Sequence, residues 1–199
     1  MSKGKFIVFE GLDGSGKSTQ VKRLAEHLQN NHKCLITQEP TDGPIGKLAR
    51  ETIRGLSSLS TDTLALLFAA DRAEHISEIR TAIESGINVI CDRYVYSNMA
   101  YQGMTIPQDV IFAYNSQFLL IPDLTIFIDT SPEECTRRIL SNRGNFEMFD
   151  GVKKAEIIRN GFIRAFEAYG SQIPVNMVDG GLCEDEVFVK VFEIVTKEF

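Results

Sequence analysis

The chain contains one glycine-rich octet whose residue types suit the binding of phosphate groups. Residues 11–18 read Gly-Leu-Asp-Gly-Ser-Gly-Lys-Ser and match the pattern G-x-x-x-x-G-K-[ST]. A short apolar run precedes the octet, and a segment with helical spacing follows it. Glycines allow successive backbone N–H groups to point at one anion, and the start of a helix adds partial positive charge. The octet, called here the phosphate loop, therefore predicts a site for a nucleoside triphosphate, with ATP expected.

Individual residues of the phosphate loop have distinct predicted roles. Lys17 is expected to bridge the β- and γ-phosphates, and the Ser18 hydroxyl is expected to hold Mg²⁺, which prefers oxygen ligands. Asp92 ends a later apolar run and is a second candidate Mg²⁺ ligand, acting through water. The alternative, a glycine-rich turn without a ligand, has chance odds of roughly 1% in a chain of this length. The predicted phosphate-binding residues are Gly11, Leu12, Asp13, Gly14, Ser15, Gly16, Lys17, Ser18 and Thr19.

Short apolar runs alternate with amphipathic segments throughout the chain. The runs predict five strands, at Phe6–Phe9, Cys34–Thr37, Ile87–Cys91, Leu124–Ile128 and Pro174–Val178. Helical spacing marks Thr19–Gln29, Ile45–Ile53, Thr61–Ser85, Tyr94–Tyr101, Pro107–Leu120, a segment from Ser131, Val152–Tyr169 and Glu184–Lys197. This alternation predicts an α/β fold of three layers, with a five-stranded parallel sheet flanked by helices. Ligands are then expected at the carboxyl ends of the strands.

Length and composition limit the classes of protein to consider. The 199 residues suit one domain spanning 1–199, and the net charge of −6 argues against a nucleic-acid-coating protein. The apolar stretches are too short to span a membrane, and the first residues show no signal-peptide pattern. The four cysteines are widely spaced, which argues against a zinc site, and Cys34 and Cys91 are predicted to be buried thiols. We therefore expect a cytoplasmic protein with no membrane or nucleic-acid partner.

Three further segments add to the phosphate loop. They are Leu67–Arg72, the triplet Asp92-Arg93-Tyr94 and Ala100–Gly103. Together with Phe9–Thr19 they closely resemble the thymidylate kinase family, over essentially the full chain. The resemblance implies a P-loop kinase fold, a homodimer, and transfer of the γ-phosphoryl group of ATP to dTMP. The products would be dTDP and ADP, in dTTP synthesis for DNA replication.

The resemblance implies four contacts with the acceptor nucleotide. Asp13 is similar to the carboxylate that accepts a hydrogen bond from the sugar 3′-hydroxyl. Phe68 resembles the ring on which thymine stacks, and Arg72 the donor to a thymine carbonyl oxygen. Arg93 resembles the arginine that binds the acceptor phosphate, a task that suits its planar fork of donors. Without the resemblance, Phe68 is more typical of a core residue and Arg72 of a helix-surface ion pair.

Four more residues complete the implied acceptor region, which covers about 39–72 and 92–103. Asn98 matches the position of a thymine-edge contact in some family members, and Gln102 is near the same base pocket. Tyr101 resembles the side chain that crowds the sugar 2′ position and disfavours ribonucleotides. Glu39 is expected to assist Mg²⁺ or to orient the acceptor. The alternatives are satisfied buried polar groups for Tyr101 and Gln102, and loop solvation for Glu39.

Two positions depart from the family pattern. Many relatives have arginine where this chain has Gln38, so Lys47, Arg50 or Arg54 is expected to compensate for the missing charge. One branch of the family also has an arginine where this chain has Gly14.

The other branch supplies basic residues from a short mobile lid, which matches about 141–151 here. Arg143 is the only basic residue within Ser141–Glu147, so it is predicted to stabilise charge on the transferring phosphoryl group. A solvated loop arginine is the alternative. Arg138 is expected to contact the donor nucleotide by stacking on adenine.

Two other functions are compatible with a phosphate loop. One is a P-loop kinase for another deoxynucleotide or for a deoxynucleoside. The other is a nucleotide-dependent switch of the GTPase kind, which would require an Asn-Lys-x-Asp motif that this sequence lacks. The predicted partners are ATP and dTMP.

Overall fold

The predicted parallel sheet is present. The computed structural model describes residues 3–143 and 148–197, and gives residues 142, 143 and 148–150 by their backbone alone. The described residues form a five-stranded sheet in the order β2-β3-β1-β4-β5, with every neighbouring pair parallel. The strands are β1 (Phe6–Gly11), β2 (Cys34–Gln38), β3 (Asn88–Asp92), β4 (Leu124–Asp129) and β5 (Val175–Asp179). This confirms the predicted α/β fold, with β1 and the phosphate loop at the centre.

Helices connect the strands and cover both faces of the sheet. They are α1 (Lys17–Leu28), α2 (Pro44–Ile53), α3 (Thr61–Glu84), α4 (Val95–Gln102), α5 (Gln108–Ser116), α6 (Pro132–Arg143), α7 (Met148–Tyr169) and α8 (Glu184–Val195). The Ser60 hydroxyl caps α3 by accepting from the Thr63 backbone N–H. The predicted α5 was too long, because the Tyr94 hydroxyl both donates to the Leu120 carbonyl oxygen and accepts from the Leu120 N–H. Leu120 therefore lies outside the helix.

The core has two halves, one on each face of the sheet. In β1, Phe6 and Val8 pack on the face covered by α3, α4 and α7, whereas Ile7 and Phe9 pack against α1 and α8. Successive side chains of a strand point to opposite faces, so a strand buried on both sides has an uninterrupted apolar sequence. The strand that carries the phosphate loop can therefore be predicted from its apolar sequence alone.

The edge strand β2 is less buried than its sequence suggests. Leu35 and Ile36 are 40% and 45% exposed, and Cys34 is half-buried. The prediction that Cys34 is a buried thiol is therefore wrong, because β2 has a neighbour on one side only. Cys91 lies in β3, between β1 and β2, and is buried as predicted. Among the described residues, no helix combines the length and the apolar character needed to cross a bilayer.

Candidate active site

The phosphate loop joins β1 to α1 at the carboxyl end of the sheet. Gly14 and Gly16 have φ angles of +81° and +96°, in the left-handed region that favours glycine. A Cβ atom on Gly14 would lie 2.5 Å from the Cys135 carbonyl oxygen of α6. The close packing of α6 therefore excludes a side chain at residue 14.

Lys17 begins α1 and is buried in the phosphate loop. Its Nζ donates to the Leu12 carbonyl oxygen at 3.1 Å. Burial and the nearby positive charge of Arg93 lower the pKa of Lys17 to about 8. Asp92, Asp13 and Glu10 raise this pKa but do not offset burial, and a bound anion is expected to raise it further.

Ser18 and Asp92 lie side by side, as predicted for a Mg²⁺ site. The Ser18 hydroxyl donates to Asp92 Oδ2, while Asp92 Oδ1 is buried and has no hydrogen-bond partner among the described residues. The two oxygen-bearing side chains fit a hard cation. No group of three or more His, Cys, Asp or Glu side chains suited to a metal occurs in residues 3–143 and 148–197. Phosphate and water oxygens would complete the coordination of an ion held by Ser18 and Asp92.

Arg93 connects the phosphate loop to α4. Its guanidinium donates to the Gly11 carbonyl oxygen at 3.2 Å, the Ser97 hydroxyl at 2.9 Å and the Asp13 carboxylate at 2.5 Å. It also lies 5.0 Å from the centre of the Tyr101 ring. Burial alone raises the pKa of Asp13, but Arg93 and Lys17 outweigh burial and hold that pKa below its ordinary value. Asp13 is thus a carboxylate at neutral pH.

Glu10 is a site residue that the sequence interpretation missed. It is fully buried at the end of β1, and its carboxyl accepts from the Tyr94 N–H at 3.0 Å, the Ser97 N–H at 3.0 Å and the Ser97 hydroxyl at 2.5 Å. These bonds satisfy free N–H groups at the start of α4, just after Arg93. Its position next to an apolar run could have indicated a buried carboxyl with specific partners, because charged residues are rarely buried without partners.

The carboxyl of Glu10 is expected to make stability depend on pH. Burial raises the pKa of Glu10 above its ordinary value of 4.5, despite hydrogen bonds from Ser97 and the charge of Arg93. The folded state then retains a proton that the unfolded state releases. The free energy of unfolding should therefore fall as pH rises from about 4.5 to the raised pKa, by at most about 1.4 kcal/mol per pH unit.

Glu10→Gln should remove this dependence, since its amide can accept from both N–H groups and donate to Ser97. Urea denaturation between pH 4 and 8 measures the difference between the two proteins. Parallel pH profiles would show that Glu10 does not titrate as described. The exposed Glu26→Gln is the matched control.

A central cavity of about 380 Å³ lies beside Arg93, between α3, α4 and the loop after β2. The predicted acceptor residues all line it: Asp13, Glu39, Phe68, Arg72, Arg93, Asn98, Tyr101 and Gln102. Phe68 is half-buried, with its ring at the cavity wall rather than in the core. Leu64, Met104 and Lys154 also line the cavity and were not predicted. Residues far apart in sequence thus form one compartment.

Arg72 is a buried residue rather than a surface one. It is 1% exposed, donates to Glu39, and lies 4.7 Å from the centre of the Tyr94 ring. Glu39 is also buried, and its second oxygen lies 3.1 Å from His75 Nδ1. The alternatives of a surface ion pair for Arg72 and of loop solvation for Glu39 are therefore wrong. Both alternatives assumed local partners, whereas the loop after β2 brings Glu39 onto α3.

Side-chain amides extend this polar network across the cavity floor. Arg72 donates to the Oδ1 atom of Asn115, a fully buried residue of α5 that the sequence interpretation missed. Asn115 Nδ2 donates to Asn98 Oδ1 at 2.9 Å, and Asn98 Nδ2 donates to Gln102 Oε1 at 3.0 Å. Asn98 and Gln102 are thus connected to Arg72 through Asn115.

Two further cavities lie on the other side of the phosphate loop. The phosphate-loop cavity, about 720 Å³, is lined by Asp13, Lys17, Ser18, Arg54 and Arg138, among others. The outer cavity, about 290 Å³, is lined by Ser15, Gly16, Thr19, Gln20, Arg138, Gly180, Leu182, Glu184 and Val187. The Arg138 guanidinium donates to Glu134 at 2.7 Å and to the Gly180 carbonyl oxygen at 3.3 Å. Arg138 therefore borders both cavities.

The remaining predicted basic residues have different positions. Arg143 ends α6, but its side chain and residues 144–147 lie outside the described part of the chain, so the lid prediction stays a prediction. Arg50 donates to the Pro40 carbonyl oxygen at 2.6 Å and to Asp42 at 2.7 Å, and so supports the loop after β2. Arg54 lines the phosphate-loop cavity, so which of the three residues compensates for Gln38 stays a prediction. Lys47 is exposed.

Comparison with known proteins agrees with this geometry. The family model described as thymidylate kinase matches residues 9–184, which include the phosphate loop and every residue of the central cavity. The chain belongs to the thymidylate kinase family. The match leaves out residues 1–8, which include the first three residues of β1, and it ends at the first residue of α8.

Individual members of the thymidylate kinase family are similar over most of their length. A probable thymidylate kinase from Methanococcus aeolicus is 42% identical over 86% of this chain and 87% of its own. A probable thymidylate kinase from Pyrococcus horikoshii is 41% identical over 87% of this chain and 88% of its own. A putative thymidylate kinase from Treponema pallidum is 38% identical over 81% of this chain and 78% of its own.

Proposed function

We propose that this thymidylate kinase family member transfers the γ-phosphoryl group of ATP to dTMP, giving dTDP and ADP. The observation that carries the proposal is the position of Asp13, which lines both the phosphate-loop cavity and the central cavity. A donor nucleotide in one cavity and an acceptor nucleotide in the other would meet beside Lys17 and Arg93. A phosphotransferase needs this juxtaposition, because the reacting atoms must come into close contact.

The reaction requires alignment and charge neutralisation rather than a strong base. The attacking oxygen of a nucleoside monophosphate is already anionic at neutral pH. Arg93 offers several donors in one plane to the acceptor phosphate, and Lys17 offers a positive charge to the β- and γ-phosphates. Ser18 and Asp92 would hold Mg²⁺. When bound, this ion neutralises charge on the donor phosphates.

The walls of the central cavity suit a deoxynucleotide with a pyrimidine base. Phe68 supplies a ring for stacking, and Arg72, Asn98 and Gln102 supply polar edges on the floor. The Tyr101 hydroxyl lies 3.3 Å from Arg93 Nη2 and would crowd the sugar 2′ position. Asp13 would accept from the 3′-hydroxyl. Glu39 would act indirectly, by holding Arg72 in position.

The donor base is assigned to the outer cavity. Arg138 lines this cavity and presents a planar guanidinium on which adenine can stack. Thr19 and the phosphate loop lie beside it, so the triphosphate would run from the outer cavity towards Lys17.

Arg143 is assigned to the transferring phosphoryl group. If it acts on the transition state from a lid over 141–151, Arg143→Ala should lower kcat by about 10²- to 10³-fold and leave the KM for dTMP nearly unchanged. Steady-state kinetics at saturating ATP measure both constants. Arg137→Ala, which removes an exposed arginine paired with Glu134, is the matched control. A large rise in the KM for dTMP with kcat retained would contradict the assignment.

We also infer a homodimer and a cytoplasmic location. Leu56 and Leu66 expose large apolar side chains, Leu66 on α3 and Leu56 on the segment between α2 and α3. Burial of such a surface between two copies is favourable. Light scattering coupled to gel filtration measures the mass in solution. All four cysteines are free thiols, which suits a reducing compartment.

The test of function is a comparison of acceptors. ADP formation should be fastest with dTMP among dTMP, dUMP, dCMP, dAMP and thymidine, and it should require Mg²⁺. Slow ATP hydrolysis that is indifferent to dTMP would instead indicate a nucleotide-dependent switch. Faster turnover of thymidine than of dTMP would overturn the proposal.

A further inference from the structure

The hydrogen-bond partners of Asn115 fix which end of its side-chain amide is oxygen and which is nitrogen. Its Oδ1 accepts from Arg72, and a guanidinium can only donate. Its Nδ2 donates to the Ile111 carbonyl oxygen at 2.7 Å, and a carbonyl oxygen can only accept. Asn115 is 0% exposed, so no water competes for these bonds. The positions of the Asn115 amide oxygen and nitrogen are therefore determined by these two partners.

The fixed orientation of Asn115 determines that of the next two amides. Its Nδ2 also donates to Asn98, so the Asn98 oxygen must face Asn115. Asn98 Nδ2 then faces Gln102, whose Oε1 accepts from it. Gln102 Nε2 has no partner in the described part of the chain, and Gln102 lines the central cavity. The series of amides thus ends with an N–H₂ group at the cavity floor.

A second donor lies on the same floor. Arg72 lines the central cavity, and its guanidinium can only donate. Donors on the floor favour a base edge that carries a carbonyl oxygen over one that carries an amino group.

We infer that Asn115 is a positioning residue for base selection: it sets the direction of the Asn98 and Gln102 amides, so that the cavity presents donors to a 4-oxo pyrimidine and disfavours a 4-amino pyrimidine. Asn115 does not line the cavity and acts through Asn98. The inference rests on the proposed function, since it assumes that the cavity binds the acceptor base.

Asn115→Asp tests the inference because it changes one nitrogen to oxygen. The new side chain still accepts from Arg72 but cannot donate to Asn98. Asn98 is then expected to rotate and donate to residue 115, and Gln102 to rotate and donate to Asn98. Gln102 Oε1 would face the cavity in place of Nε2. The ratio of kcat/KM for dTMP over 5-methyl-dCMP should fall by about tenfold or more.

Asn88→Asp is the matched control. Asn88 is buried at the start of β3 and accepts from the Lys5 N–H at 2.9 Å, a role that a carboxylate retains. Its ratio of dTMP to 5-methyl-dCMP turnover should equal that of the wild-type protein. A general loss of stability would reduce turnover of both substrates and leave the ratio unchanged. The ratio therefore separates positioning from a structural effect.

The outcomes distinguish this inference from the proposed function. If the wild-type protein phosphorylates dTMP and a folded Asn115→Asp protein keeps the same ratio, the positioning role is wrong and the proposed function stands. If the wild-type protein does not phosphorylate dTMP, both are wrong.

If Asn115→Asp does not fold, NMR spectroscopy of the wild-type protein tests the inference instead. In nitrogen-15 NMR spectra, dTMP should shift the Gln102 side-chain amide signal, identified by its loss in Gln102→Ala. The Asn115 signal should stay nearly constant and exchange slowly with solvent. An unshifted Gln102 amide at saturating dTMP would overturn the inference.

Discussion

Arg93→Ala is expected to lower kcat/KM for dTMP by about 10³-fold, the range seen when a preorganised donor to a reacting phosphate is lost. Alanine removes every donor of the guanidinium at the point where the two cavities meet. Arg93→Lys should recover only a small part of the loss, because an ammonium is a point charge without the planar fork. The two variants share the backbone strain of residue 93, which has a φ angle of 74°.

Turnover of dTMP and thermal unfolding should be measured on the same Arg93 preparations. The control is Arg164→Ala, which removes an exposed arginine from α7 and should leave both values unchanged. If Arg93→Ala is folded and retains more than about a tenth of the wild-type kcat/KM, the acceptor phosphate binds elsewhere.

Lys17→Met is expected to reduce kcat by about 10³-fold without destabilising the protein in the absence of nucleotide. The loss of activity follows from removing the positive charge on the β- and γ-phosphates. The retained stability follows from the pKa of Lys17, which is about 8 in the folded protein and 10.5 ordinarily. Because this pKa is lowered on folding, the charged form costs stability at neutral pH, and that cost disappears as pH rises towards 10.5. Methionine fills a similar volume without the charge.

The melting temperature of Lys17→Met at pH 7 should equal or exceed that of the wild-type protein. ATP should raise the melting temperature of the wild-type protein more than that of the variant, since bound ligand stabilises the folded state. Lys190→Met, at an exposed position of α8, is the control for an exchanged lysine. Normal turnover by a folded Lys17→Met protein would contradict the assignment of the phosphate loop.

The features that the sequence predicted correctly depend on neighbours along the chain. The phosphate loop is a local conformation, set by Gly14 and Gly16 and by the start of a helix at Lys17. The central strands are buried on both faces and therefore have continuous apolar sequences. The residues that the family pattern assigned to the acceptor all line one cavity, because α3, α4 and the loop after β2 converge there.

The features that were missed depend on which distant segments meet. In the sequence, Glu10 is a single charged residue after an apolar run. Only the position of α4 shows that its carboxyl accepts from the Tyr94 and Ser97 N–H groups. Asn115 lies on α5, outside every recognised motif, yet it joins Arg72 to Asn98. The apolar run around Cys34 predicts a buried thiol, but Cys34 lies in the edge strand β2. A local pattern does not reveal the order of strands in a sheet. Each error concerns a tertiary neighbour rather than a local conformation.

The ion pair between Arg93 and Asp13 would link the two proposed substrates thermodynamically. Asp13 belongs to the phosphate loop, the proposed site of the donor phosphates, and Arg93 lines the central cavity, the proposed site of the acceptor. A dTMP phosphate that engages Arg93 competes with Asp13 and frees that carboxylate for the sugar. Donor binding that shifts Asp13 therefore changes the affinity for the acceptor, and reciprocity requires the acceptor to change the affinity for the donor by the same factor. If the proposed substrates bind as described, the preformed ion pair would make their binding cooperative.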